Sequence, residues 1–363
     1  MKRSPEPILF SLIFSFLLTS PQMLVAEDEK PKHEIPDLSG NYNIATLTPL
    51  QRPRLLGETA NLYKYVADFL AWGVELGLAF SASDSDPNRE APPVGGDGSQ
   101  SAAGNVGGYN TFWIDVGDRG FMLDDKYRTS IIVEPSNGRM PEMTKVGTDK
   151  RSARLNFFRP NKGEAWWLKE EGEGPYDDPE LRPLGERCLL GFGSTAGPPM
   201  LPVLYNNIKR IVQTEDHVLI LNEMVHDTRI IRLNKPHLPE EIRKWMGDSV
   251  GHWEGDTLVV DTTNFTTQSG LFLATESLHV TERFKRIDED TLLYSFTVDD
   301  PAIWTKPWSG EYPWPQTQDQ VFEYACHEGN YALGNIMRGA RMLENDVQNE
   351  NKHEAENEFE SGE

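Results

Sequence analysis

The chain has 363 residues, with 57 acidic side chains against 35 basic ones and a formal net charge of −22. A chain this acidic repels phosphate backbones and anionic headgroups, which argues against nucleic-acid and membrane partners. Aromatic residues make up 10% of the sequence, which favours a packed core or a pocket lined with rings.

The N-terminus has the pattern of an export signal. Lys2 and Arg3 precede an apolar run over residues 8–18, and Leu24-Val25-Ala26 offers small residues for cleavage. The run has about eleven residues, short of the roughly 20 that a membrane span needs. We therefore expect residues 1–26 to be a signal peptide and the protein to be periplasmic or secreted, with no membrane span.

Residues 27–108 are predicted to form an N-terminal helical arm followed by a Gly/Ser-rich insert. Apolar residues recur at helical spacing between about Glu58 and Ala82, which predicts the one helix of the chain. From Ser81 to Gly108 the sequence is rich in Gly, Ser, Ala, Asp and Pro, a composition typical of a mobile excursion or lid.

Residues 109–343 are predicted to be mainly β. The expected strands cover residues 128–134, 208–213, 218–222, 228–233, 257–265, 278–287, 291–298 and 320–326. Short turns join most of them into an antiparallel meander, and we expect it to close into a barrel or a sandwich because open edges invite aggregation. The last segment, residues 344–363, is rich in Asn and Glu, which predicts an acidic disordered tail.

Four phrases within the predicted β-domain carry a resemblance. They are PLGERCL at 183–189, NEMVHDTRII at 222–231, GHWEGDTLVVDTTNF at 251–265 and YACHEGN at 324–330. With them the chain resembles a poorly characterised family of secreted bacterial proteins, a resemblance that does not name a reaction. The predicted fold alone gives a looser analogy to lipocalin-like barrels, which include small-molecule binders, hydratases and cyclases.

Cys188 and Cys326 are the only cysteines, and ionisable residues flank both. Because an export signal implies an oxidising compartment, we predict a disulfide between them. The bond would bring together two pairs of side chains, Glu186 and Arg187 on one segment and His327 and Glu328 on the other. A carboxylate and an imidazole in contact could act as base and acid. The alternative is that the bond only staples the fold.

A second group of polar side chains lies in the phrase at 222–231. On an extended strand Glu223, Asp227 and Arg229 would share one face, and His226 would point the other way. Either His226 faces inward as a proton-transfer group, or Asp227 and Arg229 form a ladder on a solvated sheet face beside a turn histidine. A third group surrounds a tight turn: His252, Glu254, Asp256 and Asp261. Most of it is explained as folding chemistry, while His252 is either a hydrogen-bonded cap of the turn, a base or a ligand.

Six side chains are predicted to bind a ligand: Tyr109, Asn110, Trp113, Arg128, Asn206 and Asn207. Rings of this kind stack on a small molecule while amide and guanidinium groups orient it. The Gly/Ser-rich insert directly before them would act as a lid. The alternative is an aromatic core edge. Three tryptophans between prolines could line an aromatic wall or only plug one barrel end: Trp304, Trp308 and Trp314.

These features lead to one main hypothesis and one alternative. The main hypothesis is an enzyme that applies acid–base chemistry, as a lyase, hydratase, isomerase or hydrolase, to a small organic molecule such as a carbohydrate or terpenoid. The proton-transfer groups would be His327 and His226, assisted by Glu186, Glu223 or Glu328, with Arg187 or Arg128 holding negative charge. The alternative is a non-catalytic small-molecule binding protein of the periplasm. Metal-ligand spacings and nucleotide loops are missing from the sequence, so we predict no metal and no cofactor.

Overall fold

The computed structural model describes residues 35–83, 114–159 and 163–361. The predicted signal peptide, the Gly/Ser-rich insert beyond residue 83, and Tyr109, Asn110 and Trp113 lie outside these ranges. Within the described ranges, no helix combines the length and the apolar character needed to cross a membrane.

Thirteen strands occur in the described residues. In chain order they are β1 (Gly40–Asn43), β2 (Asn61–Leu62), β3 (Met122–Leu123), β4 (Lys126–Arg128), β5 (Ile132–Glu134), β6 (Ile208–Gln213), β7 (His217–Asn222), β8 (Thr228–Leu233), β9 (Asp248–Glu254), β10 (Thr257–Thr263), β11 (His279–Arg286), β12 (Thr291–Asp299) and β13 (Trp308–Pro315). Ten of them form one sheet in the order β1-β6-β7-β8-β9-β10-β11-β12-β13-β5, and a small second sheet has the order β2-β4-β3. The prediction of a mainly β protein is confirmed.

The large sheet is mixed rather than antiparallel throughout. Strands β8 and β9 pair in parallel, with Arg232 opposite Val250, because residues 234–247 carry the chain back before β9 begins. The predicted antiparallel meander is therefore wrong at this connection, and also at its start, because β5 pairs with β13 and not with β6. The sheet curls into a half-barrel, which brings its concave face around a single large core.

Alternation along the strands places aromatic rings on the concave face. In β12 every second residue is buried, and Tyr294 packs against Trp314 with ring centroids 4.6 Å apart. Trp308 and Trp314 are fully buried in β13, so they belong to the core rather than to a pocket wall. Pro313 is tolerated in this strand because no hydrogen bond is required from its nitrogen. That nitrogen points to the same side as the Glu311 N–H, which donates to the Ile131 carbonyl, and β5 no longer pairs with β13 at Pro313.

Three α-helices occur in the described residues, where the sequence predicts one. They are α1 (Lys64–Ser83), α2 (Lys145–Phe157) and α3 (Tyr331–Ser361). Helix α1 matches the predicted helix, whereas α2 and α3 were not predicted. The acidic segment expected to be disordered is helical as far as Ser361. Helix α3 is anchored in its first half, where Glu344 accepts a 2.7 Å hydrogen bond from the indole of Trp167.

Two predicted strands are wrong. The strand expected at 128–134 is divided, because β4 belongs to the small sheet and β5 to the large one. Residues 320–326, also predicted as a strand, have no strand pairing. They are held instead by a 2.9 Å hydrogen bond from the Phe322 N–H to the carboxylate of Glu223. This segment leads directly to Cys326.

Candidate functional site

The predicted disulfide between Cys188 and Cys326 is present, with the two Cα atoms 5.7 Å apart and 138 residues of sequence separation. Asn330 reinforces the junction, because its amide donates to the Glu186 carbonyl at 2.8 Å. Its side-chain oxygen accepts from the Leu333 N–H at 3.2 Å and so caps the start of α3. The bond and this cap fix the loop before β6 against the beginning of the last helix.

A cavity of about 410 Å³ opens beside the bond, and we call it the disulfide cleft. Its walls come from residues 185–192, 205–206 and 323–336. The rings of Tyr205 and Tyr324 both line it and lie nearly parallel, with an interplanar angle of 7° and centroids 6.4 Å apart. Leu333 and Ile336 of α3 add aliphatic surface. The cleft is therefore mostly apolar, with two parallel tyrosine rings on its walls.

Phe192 forms another wall of the cleft and is 44% exposed. Gly185 makes this position possible, because a Cβ on Gly185 would lie 2.8 Å from the Phe192 ring. A side chain there would push the ring away. The glycine in the phrase 183–189 thus shapes the cleft.

Of the predicted catalytic residues around the disulfide, only Glu186 lines the cleft. Its carboxylate is already bound by Arg182 in an ion pair of 2.8 Å. Arg187 instead directs its guanidinium to the carbonyl of Glu180 at 3.2 Å, since the chain turns at this point. His327 and Glu328 are exposed and do not line the cleft. The bond brings the two segments together without forming an imidazole–carboxylate pair inside the cleft.

Glu223 and His226 are likewise separated. Glu223 is buried and accepts hydrogen bonds from the N–H groups of Ile208 at 3.2 Å and Phe322 at 2.9 Å. Burial raises its pKa, although these bonds and one from the Asn206 side chain oppose the shift. His226 lies on the exposed side of a turn with a positive φ of 44°. The carboxylate therefore positions the rim of the cleft, and the expectation of an inward-facing His226 is wrong.

The three predicted ligand-binding residues that lie within the described ranges do not form one site. Asn206 lines the disulfide cleft. Asn207 is buried, and its amide donates to the carbonyls of Asp115 and Val203 at 2.7 and 2.8 Å, so its role is to fold the loop. Arg128 lies in β4, 3.7 Å from Glu311, and is not part of the cleft.

Lys209, a buried lysine, was not singled out from the sequence. Lys209 of β6 is fully buried, and its Nζ has no hydrogen-bond partner among the described residues. Burial lowers its pKa to about 7, even though Glu223 and Asp227 act in the opposite direction. Burial also raises the pKa of Asp227 to about 6. The pKa values of both groups therefore lie near neutrality, and their opposite charges act on each other.

Asp227 lines a second cavity of about 290 Å³, which we call the sheet-edge pocket, together with Arg229, Ser249 and residues 244–247. Arg229 is buried and bonds both oxygens of Glu282, at 2.6 and 3.0 Å. Tyr294 donates to the same carboxylate at 2.7 Å. Arg229 therefore links the wall of this pocket to a buried polar network on the concave face, in which the charge of Arg229 is balanced by that of Glu282.

On the other face of the sheet a chain of alternating imidazole and carboxylate groups ties residues 234–247 to the strands. His237 contacts Asp248 at 3.2 Å and Asp261 at 2.8 Å, and Asp261 also contacts His279. The hydrogen bond with Asp261 raises the pKa of His279, and the pKa of Asp261 is lowered by the same contact. Only Asp261 was singled out from the sequence. The diagonal position of His279 across β10 and β11 depends on a strand register that the sequence does not reveal.

Fold and site together define a mainly β protein with a curled ten-stranded sheet and a mostly apolar cleft beside its disulfide. Among the residues that the structure describes, no group of three or more His, Cys, Asp or Glu side chains could hold a metal ion. No protein-family model matches the chain, and no curated protein is significantly similar to it.

Proposed function

We propose that the protein binds a small organic molecule in the disulfide cleft and works outside the cytoplasm. The observation that carries this proposal is the cleft itself. Its volume of about 410 Å³ lies within the range of about 300 to 1,000 Å³ typical of small-ligand sites. The disulfide supports an oxidising compartment, in agreement with the export signal.

The lining of the cleft favours binding over proton transfer. Neither His226 nor His327 contributes to its walls. Of the two carboxylates that do, Glu186 is paired with Arg182 and Glu323 is exposed to solvent. A carrier for a largely apolar ligand needs few ionisable groups. The ligand that fits has a flat or aliphatic body stacked on Tyr205 or Tyr324 and one polar group that bonds Asn206.

The curled sheet supports the analogy with lipocalin-like barrels, and we propose that the fold is a half-open relative of them. The concave face is filled by rings, since Trp308, Tyr294 and Tyr312 are all buried there. A ligand therefore binds beside the sheet, at the disulfide, and the interior serves as core.

The acid–base enzyme is a second candidate function, and the sheet-edge pocket is the reason to keep it. Asp227 lines this pocket with a pKa raised to about 6 by burial, the range in which a carboxylate can work as a general base near neutral pH. Arg229 lies beside it, but its charge is matched by Glu282. In this candidate, Asp227→Asn abolishes turnover without changing ligand binding in the disulfide cleft.

A ligand screen on the purified protein separates the two functions. Thermal shift detects binding, because a ligand that binds only the folded state raises Tm, and mass spectrometry of the same mixtures detects product. Tyr205→Ala and Tyr324→Ala should each remove the shift. Tyr331→Ala is the matched control, since Tyr331 is 77% exposed and outside the cleft.

Binding that survives both cleft substitutions would place the ligand elsewhere and end the binding proposal. Product formation that depends on Asp227 would select the enzyme.

A further inference from the structure

One cavity is lined by basic side chains, although the chain as a whole is acidic. It has a volume of about 210 Å³ and lies between α2 and residues 181–193 and 267–274. Three cationic side chains line it, Lys150, Arg154 and Arg182, and none of its described lining residues is acidic. We call it the basic pocket. In a chain with 57 acids and 35 bases, an acid-free cationic pocket calls for a physical explanation.

The two cations of α2 are aimed at this pocket by helix geometry. Lys150 and Arg154 are four residues apart, so they lie on one face of the helix. Lys150 donates to the Ala274 carbonyl at 3.0 Å, which holds its ammonium at the pocket wall, and burial lowers its pKa. The Arg154 guanidinium lies 4.9 Å from the ring of Phe158 and 5.8 Å from that of Phe272. The rings restrict it without neutralising it.

The two cations of α2, Lys150 and Arg154, are not held in ion pairs by any described residue. The acidic group that acts on Lys150 is Asp300, which is buried and already accepts hydrogen bonds from the Thr275 and Ala302 N–H groups at 2.6 and 3.2 Å. Arg182 is paired with Glu186 and contributes shape rather than net charge.

We propose that the basic pocket binds an oxyanion, the carboxylate or phosphate group of a small molecule. The Lys150 ammonium and the Arg154 guanidinium would donate to its oxygens, in the charge-assisted bonds that both groups favour. Glycines at 191, 193 and 270 form part of the wall, which lets an anion approach the backbone closely. The site is distinct from the disulfide cleft, although Gly185 and Phe192 contribute to both.

Calorimetric titration of the full protein at low ionic strength and pH 7 tests the site, with inorganic phosphate in one arm and benzoate in the other. Lys150→Gln and Arg154→Gln should each weaken binding about tenfold, because each removes a charged donor. Arg151→Gln removes the same charge from a position of the same helix that does not line the pocket. It should change the affinity by less than about twofold, as expected for a screened surface charge.

Preference for phosphate assigns a phosphorylated ligand, and preference for benzoate assigns a carboxylate with an apolar body against Phe272. Absence of binding in both arms overturns the proposal, as does an Arg151→Gln effect equal to that of Arg154→Gln. Tm of every variant is measured without anion. If a Gln variant unfolds, Arg154→Lys replaces it and should keep measurable binding, because the charge remains.

Discussion

Replacing Lys209 by Met tests the consequence of burying an amine without a hydrogen-bond partner. The side chain of Lys209 is fully buried in β6, and its pKa falls from 10.5 to about 7 because burial disfavours the charged form. The unfolded chain keeps the higher pKa. Between these two values the unfolded state therefore binds more protons, and the unfolding free energy of the wild-type protein rises with pH.

The size of this rise follows from the pKa difference. Each pH unit within the window is worth about 1.4 kcal/mol. Allowing for the curvature near each pKa, the wild type should gain about 2 to 3 kcal/mol relative to Lys209→Met between pH 7.5 and 9.5. As the pH falls well below 7 the lysine becomes charged in both states, so the difference between the two proteins should level off.

Urea unfolding at intervals of half a pH unit measures this difference, because both proteins share every other titrating group. The chain has no free cysteine, so alkaline buffers do not reshuffle disulfides. Lys235→Met is the matched control, since Lys235 is exposed, and its curve should run parallel to that of the wild type. Parallel curves for the wild type and Lys209→Met would refute the reasoning.

Three further perturbations have definite expected outcomes. Replacing Cys188 and Cys326 by Ser should lower the unfolding free energy by about 4 to 5 kcal/mol in the chain-entropy model, because the bond closes a loop of 138 residues, and should also weaken ligand binding in the disulfide cleft. His279→Gln should lose stability relative to the wild type at pH 5.5 but much less at pH 8.5. A His with a raised pKa contributes stability that is complete below pH 6.5 and is lost as the pH rises through its folded value. Arg229→Met alone should cost about 3 to 5 kcal/mol, since Glu282 is left as a buried unpaired charge, and adding Glu282→Leu should restore much of the loss.

Each of these has its own control and its own contrary result. For the disulfide, reduction of the wild type should reproduce the double variant, and an unchanged urea midpoint would contradict the prediction. His252→Gln controls for the loss of an imidazole, because His252 is exposed, and an equal pH effect there would remove the role given to His279. For the buried pair, additive effects of the two substitutions would contradict the coupling between Arg229 and Glu282.

Most strands were predictable from the sequence because one face of each strand is buried. The bounds of β6 and β8 agree with the prediction, and those of β7, β10, β11 and β12 differ by one or two residues. The sequence predicts no strand at β9, where Gly251 interrupts the apolar pattern. That glycine is needed where a Cβ would lie 2.9 Å from Ile231. Strand β13 was not predicted because it contains Pro313 and Pro315, which are unfavourable in most strands.

Helix α3 shows how composition can outweigh periodicity. The acidic character of residues 344–363 predicted disorder, although apolar residues continue at helical spacing across this boundary: Leu333, Ile336, Ala340, Leu343 and Val347. Ala340, Leu343 and Val347 pack on a cluster around Trp167. A partner surface of this kind is a tertiary feature, so the helix could not be assigned from charge alone.

The cysteine count predicted the disulfide, which is present, and Glu186 and Asn206 line the cleft beside it. The directions of the other side chains were not predictable. In β6, Ile208 and Ile211 lie on opposite faces, so alternation does not say whether Lys209 or Arg210 points inward. The structure buries Lys209 and exposes Arg210. His327 is next to a half-buried cysteine, yet the turn after Cys326 directs it outward.

The disulfide also alters the connectivity of the chain. Residues 188 and 326 enclose every strand from β6 to β13, so eight consecutive strands belong to one covalent ring, while α1, α2 and α3 are attached outside it. A protease that cuts any loop within the ring leaves two pieces joined through sulfur. The curled sheet can thus be nicked within the ring and still keep all its strands in one covalent molecule.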